Sequence, residues 1–207
     1  MKIQLERIGR RFNREWIFRG IDYSFTTDNS YAILGRNGSG KSTLLQIIAG
    51  SLTPSEGSLS YSKNNTSVDV ENFYKELSIA APYLELIEEL TLTELIDFHS
   101  HFKRFRDKLD TKAVIDILGF EKSRNKPLKY FSSGMKQRAK LALAFCSDNP
   151  VLLLDEPTAN LDNQGIEWYK QFIDDFTTNR LVIVCSNQEH EYRFCNIHLN
   201  ITDYKDV

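Results

Sequence analysis

The sequence predicts an α/β protein: a largely parallel sheet covered on both faces, with a helical subdomain inserted in it. Three short apolar runs, Tyr31-Ala-Ile-Leu34, Val151-Leu-Leu-Leu154 and Leu181-Val-Ile-Val184, have strand length and no polar alternation, which marks strands buried on both faces. Helical patterns follow the first two, as crossovers between parallel strands require. From about Glu85 to Ser147 the alternation stops and the pattern is helical.

Taken in order, Ile21, Tyr23 and Phe25 alternate with polar residues as in a half-buried strand, and Asp28-Asn29 turn the chain. The strand Tyr31–Leu34 ends at Gly35. A glycine-rich loop follows, then an apolar helix over Thr43–Ala49, closed by Gly50. Residues 51–82 read as short strands and turns, with Leu59 and Tyr61 alternating, a polar loop over Ser62–Ser67 and a strand over Leu77–Ala80. Leu92, Leu95, Ile96 and His99 fit one helix face. So do Ala113, Val114, Ile117 and Leu118. Pro127 precedes a helix at Met135–Phe145, and Glu167–Phe176 is a further helix. The expected organisation is one domain over 1–207, its α/β core formed by 1–82 and 148–207 and its helical subdomain by about 83–147.

A chain of 207 residues buries enough surface to need no disulfide or metal staple. The net charge of −2 offers no global attraction to nucleic acid or acidic lipid, and no nucleic-acid partner is expected. Two basic stretches, Arg7 to Arg19 and Lys103 to Lys108, read as solvated faces. Cys146, Cys185 and Cys195 lack CxxC spacing and read as buried small side chains in a reducing compartment. His99 and His101 straddle two helix faces, which is not the arrangement of a metal pair. No apolar run reaches the roughly 18 residues that cross a bilayer, so any membrane part belongs to another chain.

Gly35-Arg36-Asn37-Gly38-Ser39-Gly40-Lys41-Ser42 fits GxxxxGK followed by Ser or Thr, between a strand and a helix. Its glycines let the backbone wrap a phosphate, and the N–H groups and helix N-terminus add partial positive charge. Lys41 brings a full charge to the β/γ-phosphates, Ser42 a hydroxyl for Mg²⁺, and Thr43 reaches the α-phosphate side. The strand 151–154 runs into Asp155-Glu156-Pro157. Asp155 would hold Mg²⁺ through its water shell, and Glu156 would polarise the attacking water. ATP and Mg²⁺ are therefore the expected cofactors.

With these motifs in place the chain resembles the ATP-binding-cassette (ABC) ATPases over almost its whole length. Phe131-Ser132-Ser133-Gly134-Met135, followed by Lys136-Gln137-Arg138, resembles the family signature LSGGQ. Ala159-Asn160-Leu161-Asp162 resembles the D-loop, and Phe12 matches the aromatic that stacks on adenine. The resemblance implies a P-loop NTPase core with a mostly parallel sheet, an N-terminal antiparallel β part and an inserted helical subdomain. It further implies a head-to-tail dimer in which Ser132, Ser133 and Gly134 of each signature meet the γ-phosphate held by the other subunit. Ser-Ser-Gly at a helix start has its own logic there, since it offers hydroxyls and N–H groups to an anion.

Three departures from the family pattern stand out. The signature is FSSGM rather than LSGGQ. The expected Q-loop glutamine is missing, and Tyr83 or Glu85 occupies its region. Asn187 stands where the family has its switch histidine, and is taken as the third catalytic candidate beside Lys41 and Glu156.

The resemblance points to the ATP-hydrolysing subunit of an ABC transporter. It would be cytoplasmic, peripheral on the inner face of the cell membrane, and would drive a separate integral-membrane permease as a homodimer or as a heterodimer with a second cassette. A soluble ABC protein acting on nucleic acid or ribosomes, and a slowly hydrolysing nucleotide sensor, are the alternatives. The apolar residues Leu84, Leu86, Ile87 and Leu90, in a helical segment from Tyr83 to about Phe105, are the expected permease contact.

Overall fold

The computed structural model describes residues 1–205; the last two residues of the expected 1–207 domain lie outside them. The chain enters as a hairpin, β1 (Lys2–Phe12) and β2 (Glu15–Thr26), then runs through β3 (Ser30–Leu34), α1 (Lys41–Ile48), β4 (Glu56–Lys63), β5 (Thr66–Val68), α2 (Val70–Phe73) and β6 (Leu77–Ala80). Three helices follow: α3 (Leu92–Ser100), α4 (Thr111–Leu118) and α5 (Ser133–Cys146). The chain then returns through β7 (Val151–Asp155), α6 (Asn163–Thr177), β8 (Leu181–Cys185), α7 (Glu189–Tyr192) and β9 (Ile197–Asn200).

The strands form two sheets. One is antiparallel, in the order β2-β1-β4-β5; the other has the order β6-β7-β8-β3-β9 and pairs in parallel throughout. The period of two along a strand splits the parallel sheet's side chains between two cores. Val151, Leu153, Leu181 and Ile183 face α1 (Leu44, Leu45, Ile47, Ile48) and the antiparallel sheet (Ile3, Leu5, Phe18, Ile21, Phe25). Leu152, Leu154, Val182 and Val184 face the other way, onto α5, α6 and the helices before them. Helix α1 is thus enclosed between two sheets, and the loop ahead of it is held from both sides.

Several expectations are corrected in detail. The polar loop at 62–67 shrinks to Asn64-Asn65, whose positive φ (50° and 63°) turns a tight hairpin while the ladder runs to Lys63 and resumes at Thr66. The helical reading from Tyr83 fails before Leu92. There the chain is irregular because its backbone is used sideways: the Leu90 and Glu88 carbonyls accept from the Leu128 and Lys129 N–H groups at 2.9 Å each. The helix begins at a capping box in which Thr91 and Glu94 satisfy each other's backbone N–H. Of the proposed contact residues only Ile87 is well exposed, since Leu86 and Leu90 pack on the core. The second basic stretch is not simply solvated: Lys103 turns inward onto the carbonyls of Tyr74 and Leu77, and Arg106 onto that of Phe176.

Candidate active site

The carboxyl ends of β3, β7 and β8 meet above α1, where ligands sit in open parallel sheets. Gly35, Gly38 and Gly40 all have positive φ (150°, 73° and 104°). A Cβ on Gly40 would lie 2.4 Å from Ile17 Cγ2, and one on Gly35 would lie 2.7 Å from Ile201. The loop is therefore pressed against its supports at Gly35 and Gly40, while Gly38 at its tip faces open space. Lys41 is buried and curls back, its Nζ donating to the Gly35 carbonyl at 2.7 Å. The Ser39 N–H closes the turn on the Arg36 carbonyl at 2.9 Å.

A cavity of about 360 Å³ opens on this loop. Asn37 to Thr43 line it, and Glu156 joins them from the end of β7. Ile17 of β2 lines it too, a residue that sequence reasoning missed because its strand carries no motif. Glu156 has φ 41°, in the left-handed region, and its N–H donates to the Cys185 carbonyl at 2.9 Å. That turn points the chain away from the sheet immediately after Asp155.

Asp155 is buried, and its Oδ1 has no hydrogen-bond partner. Burial pushes its carboxyl up to about 6; the Ser42 hydroxyl and Lys41 act against the rise, and the Glu156 charge adds to it. An orphaned carboxylate oxygen beside a serine hydroxyl is the donor set a hard divalent cation takes, so the residues present fit Mg²⁺. Asn187 is exposed, and its Nδ2 donates to Asn37 Oδ1 at 2.7 Å, which ties the end of β8 to the phosphate loop. Burial, with the charge of Asp155 adding to it, raises the Tyr83 phenol to about 12, while the Gln46 side chain of α1 opposes the rise. Tyr83, one of the two residues considered for the Q-loop region, thus lies in the field of Asp155.

The remaining candidates lie outside the cavity. Phe12 is at the tip of the β1–β2 hairpin, half exposed, with the Arg10 guanidinium 4.7 Å over its ring. Ser132 caps α5 by accepting from the Met135 N–H at 3.2 Å, and Ser133 beside it is exposed. Asp162 caps α6 by accepting from the Gly165 N–H at 2.8 Å.

The start of α5 is fastened to the segment after Glu156. The Gln137 side chain donates to the Pro157 carbonyl at 2.9 Å, and a Cβ on Gly134 would sit 2.9 Å from the Asn160 carbonyl. Further along, the Lys140 ammonium donates to the carbonyls of Ala81, Pro82 and Leu84 at 3.0–3.3 Å. Neither contact was foreseen from sequence.

Comparison with known proteins agrees with this geometry. The ABC transporter family model matches residues 18–159. The chain is 26% identical over 205 residues to the ABC transporter ATP-binding protein YybJ of Bacillus subtilis, covering 96% of this chain and 92% of that one. It is 30% identical over 173 residues to the cytochrome c biogenesis ATP-binding export protein CcmA of Rhodopseudomonas palustris, covering 82% and 83%. Among solved structures, an ABC transporter ATP-binding protein of Pyrococcus furiosus superposes with a TM-score of 0.81 at 19% identity, over 99% of this chain and all of that one. The dimeric ABC transporter cassette MJ0796 gives 0.80 at 23%, over 96% and 94%. With a matched family model and a shared fold, the chain belongs to the ABC transporter family and is one of its ATP-binding, ATP-hydrolysing cassettes.

Proposed function

We propose that the cassette binds MgATP in the cavity above α1, completes the site with the signature of a second cassette, and drives a separate integral-membrane permease from the inner face of the membrane. The observation that carries this reading is the split between the two halves. The cavity on the phosphate loop is lined by residues of its own chain, Ile17, Asn37 to Thr43 and Glu156, whereas Ser132 and Ser133 stand exposed at a helix N-terminus outside it. A second copy, or a related cassette, can bring such an end to the γ-phosphate.

Placement supports the following roles. Backbone N–H groups of residues 37–43 and the Lys41 ammonium hold the phosphates, and Phe12 offers a face to the base. Asp155 and Ser42 would hold Mg²⁺, which when bound neutralises phosphate charge. Glu156, at the cavity rim, accepts a proton from the attacking water, and Asn187 helps to orient that water. The permease side falls to exposed aromatic and apolar residues: Tyr74 lines a cleft of about 370 Å³, and exposed Ile87, Phe98 and Phe102 are next in sequence to its lining residues Leu86, His99 and Lys103. Among the described residues no helix is long and apolar enough to cross a membrane.

Glu156→Gln tests the core of this reading. It should retain ATP affinity, slow hydrolysis by about 10²–10⁴-fold, and elute as a dimer in size-exclusion chromatography with MgATP. Elution as a monomer at every protein concentration would count against the shared site.

A further inference from the structure

Beside the phosphate cavity lies a buried carboxyl group that no motif announces. Glu191 of α7 is wholly buried. Its Oε1 accepts from the Thr158 backbone N–H at 2.7 Å and also from the Thr158 hydroxyl; its Oε2 accepts from the Ser186 hydroxyl. Each oxygen is filled, as a buried carboxylate requires.

The partners come from two different loops. Thr158 is two residues beyond Glu156, and Ser186 immediately precedes Asn187. Around this centre the bonds continue outward. His190 Nε2 lies 3.0 Å from the Thr158 hydroxyl oxygen, which makes that nitrogen the donor when the hydroxyl serves Glu191. The Ser186 oxygen accepts from the Gln188 N–H at 2.8 Å. The Tyr169 hydroxyl donates to the Glu191 carbonyl at 2.7 Å and fastens α7 to α6.

We propose that Glu191 is a positioning residue for hydrolysis. By bridging Thr158 and Ser186 it fixes the separation of the loop that begins at Glu156 and the loop that carries Asn187. The base and the amide then close on the γ-phosphate as one unit. The inference rests on the hydrolytic reading of this site given above, and it assigns Glu191 no contact with nucleotide. Its signature is accordingly a change in kcat without a change in ATP binding.

Glu191→Gln keeps the volume and one oxygen for Thr158, but presents an NH₂ group to Ser186. The expected result is a kcat lowered about tenfold, the scale of one charge-assisted hydrogen bond, with the affinity for a fluorescent ATP analogue unchanged. Ser186→Ala should lower kcat in the same direction by about threefold. Combining the two should cost no more than Glu191→Gln alone, because both break one link. Wild-type kcat in both variants overturns the proposal. So does a parallel loss of kcat and affinity, or a fully additive double variant; either marks a role in general stability only. If Glu191→Gln does not fold, Ser186→Ala alone decides, by the same split between kcat and affinity. Glu156→Gln serves as the control: if it hydrolyses ATP at the wild-type rate, it is the assignment of the base that fails.

Discussion

The phosphate loop and the signature, both assigned to the nucleotide in the proposed function, are built in opposite ways. The loop is braced at both ends by its own chain, with Arg36, Asn37 and Gly38 exposed between them. Glycines at positive φ press against Ile17, Phe18 and Ile201, Lys41 is buried, and two sheets hold α1 in place. The signature is anchored by buried Phe131, a helix cap and one tight backbone contact, while its serines face outward. The first is a receptor fixed by its own core. The second is a probe, positioned wherever α5 carries it. On the proposed reading, the difference assigns affinity for nucleotide to one half and the timing of chemistry to the other.

The same small change made in each half should separate them most. Gly40→Ala adds a methyl at φ 104° with Ile17 2.4 Å away. Displacing the loop should weaken ATP binding by about 10²-fold, measured by titration with a fluorescent analogue. Gly134→Ala pushes only on the Asn160 carbonyl. It should leave that affinity intact and lower steady-state kcat about tenfold. Equal effects on affinity would erase the contrast.

Asp155→Asn sharpens it through pH. A folded-state carboxyl at about 6, above its unfolded value, means that the folded chain holds this proton more tightly. Without nucleotide, this group therefore makes the protein more stable as pH falls from about 6 toward 4. The asparagine variant should lose that dependence. At pH 7 its ligand-free melting temperature should rise by about 5 °C, the equivalent of about 2 kcal/mol. The further rise that MgATP gives the wild type should disappear. A ligand-free melting temperature at or below that of the wild type would show that the buried charge carries no cost.

The smallest effect is expected at the probe. Ser132→Ala removes one cap and should lower stability by about 1 kcal/mol, read as a small shift in urea midpoint. No shift would show that α5 holds its start by packing alone.

How much of this was legible depended on where the partners of each residue lie. The phosphate loop and Asp155-Glu156 could be read because each is contiguous and sits at a strand end. The helix start at Ser132-Ser133-Gly134 was legible because it too is contiguous. Glu191 was not, because Glu-His-Glu-Tyr reads as surface until Thr158 and Ser186 arrive from the ends of two other strands. Ile17 was missed because alternation marks a strand but not which cavity its side chains line. The stretch 83–91 was read as helix from its apolar content. Thr91 and Glu94 already spelled a helix start at Leu92, whereas the pairing of residues 88 and 90 with 128 and 129 is long-range and leaves no local trace.

Lys140 gives the molecule a mechanical linkage. Its ammonium holds three carbonyls of the 81–84 loop, seven residues along the same helix from Ser133, the first residue of α5. Each such bond to a charged donor is worth about 1.5–3 kcal/mol, so the loop cannot be pulled aside cheaply without dragging the helix after it. A tug on that loop would therefore be passed along α5 toward the signature serines at its start. The helix acts as a pushrod, and the lysine is its pin.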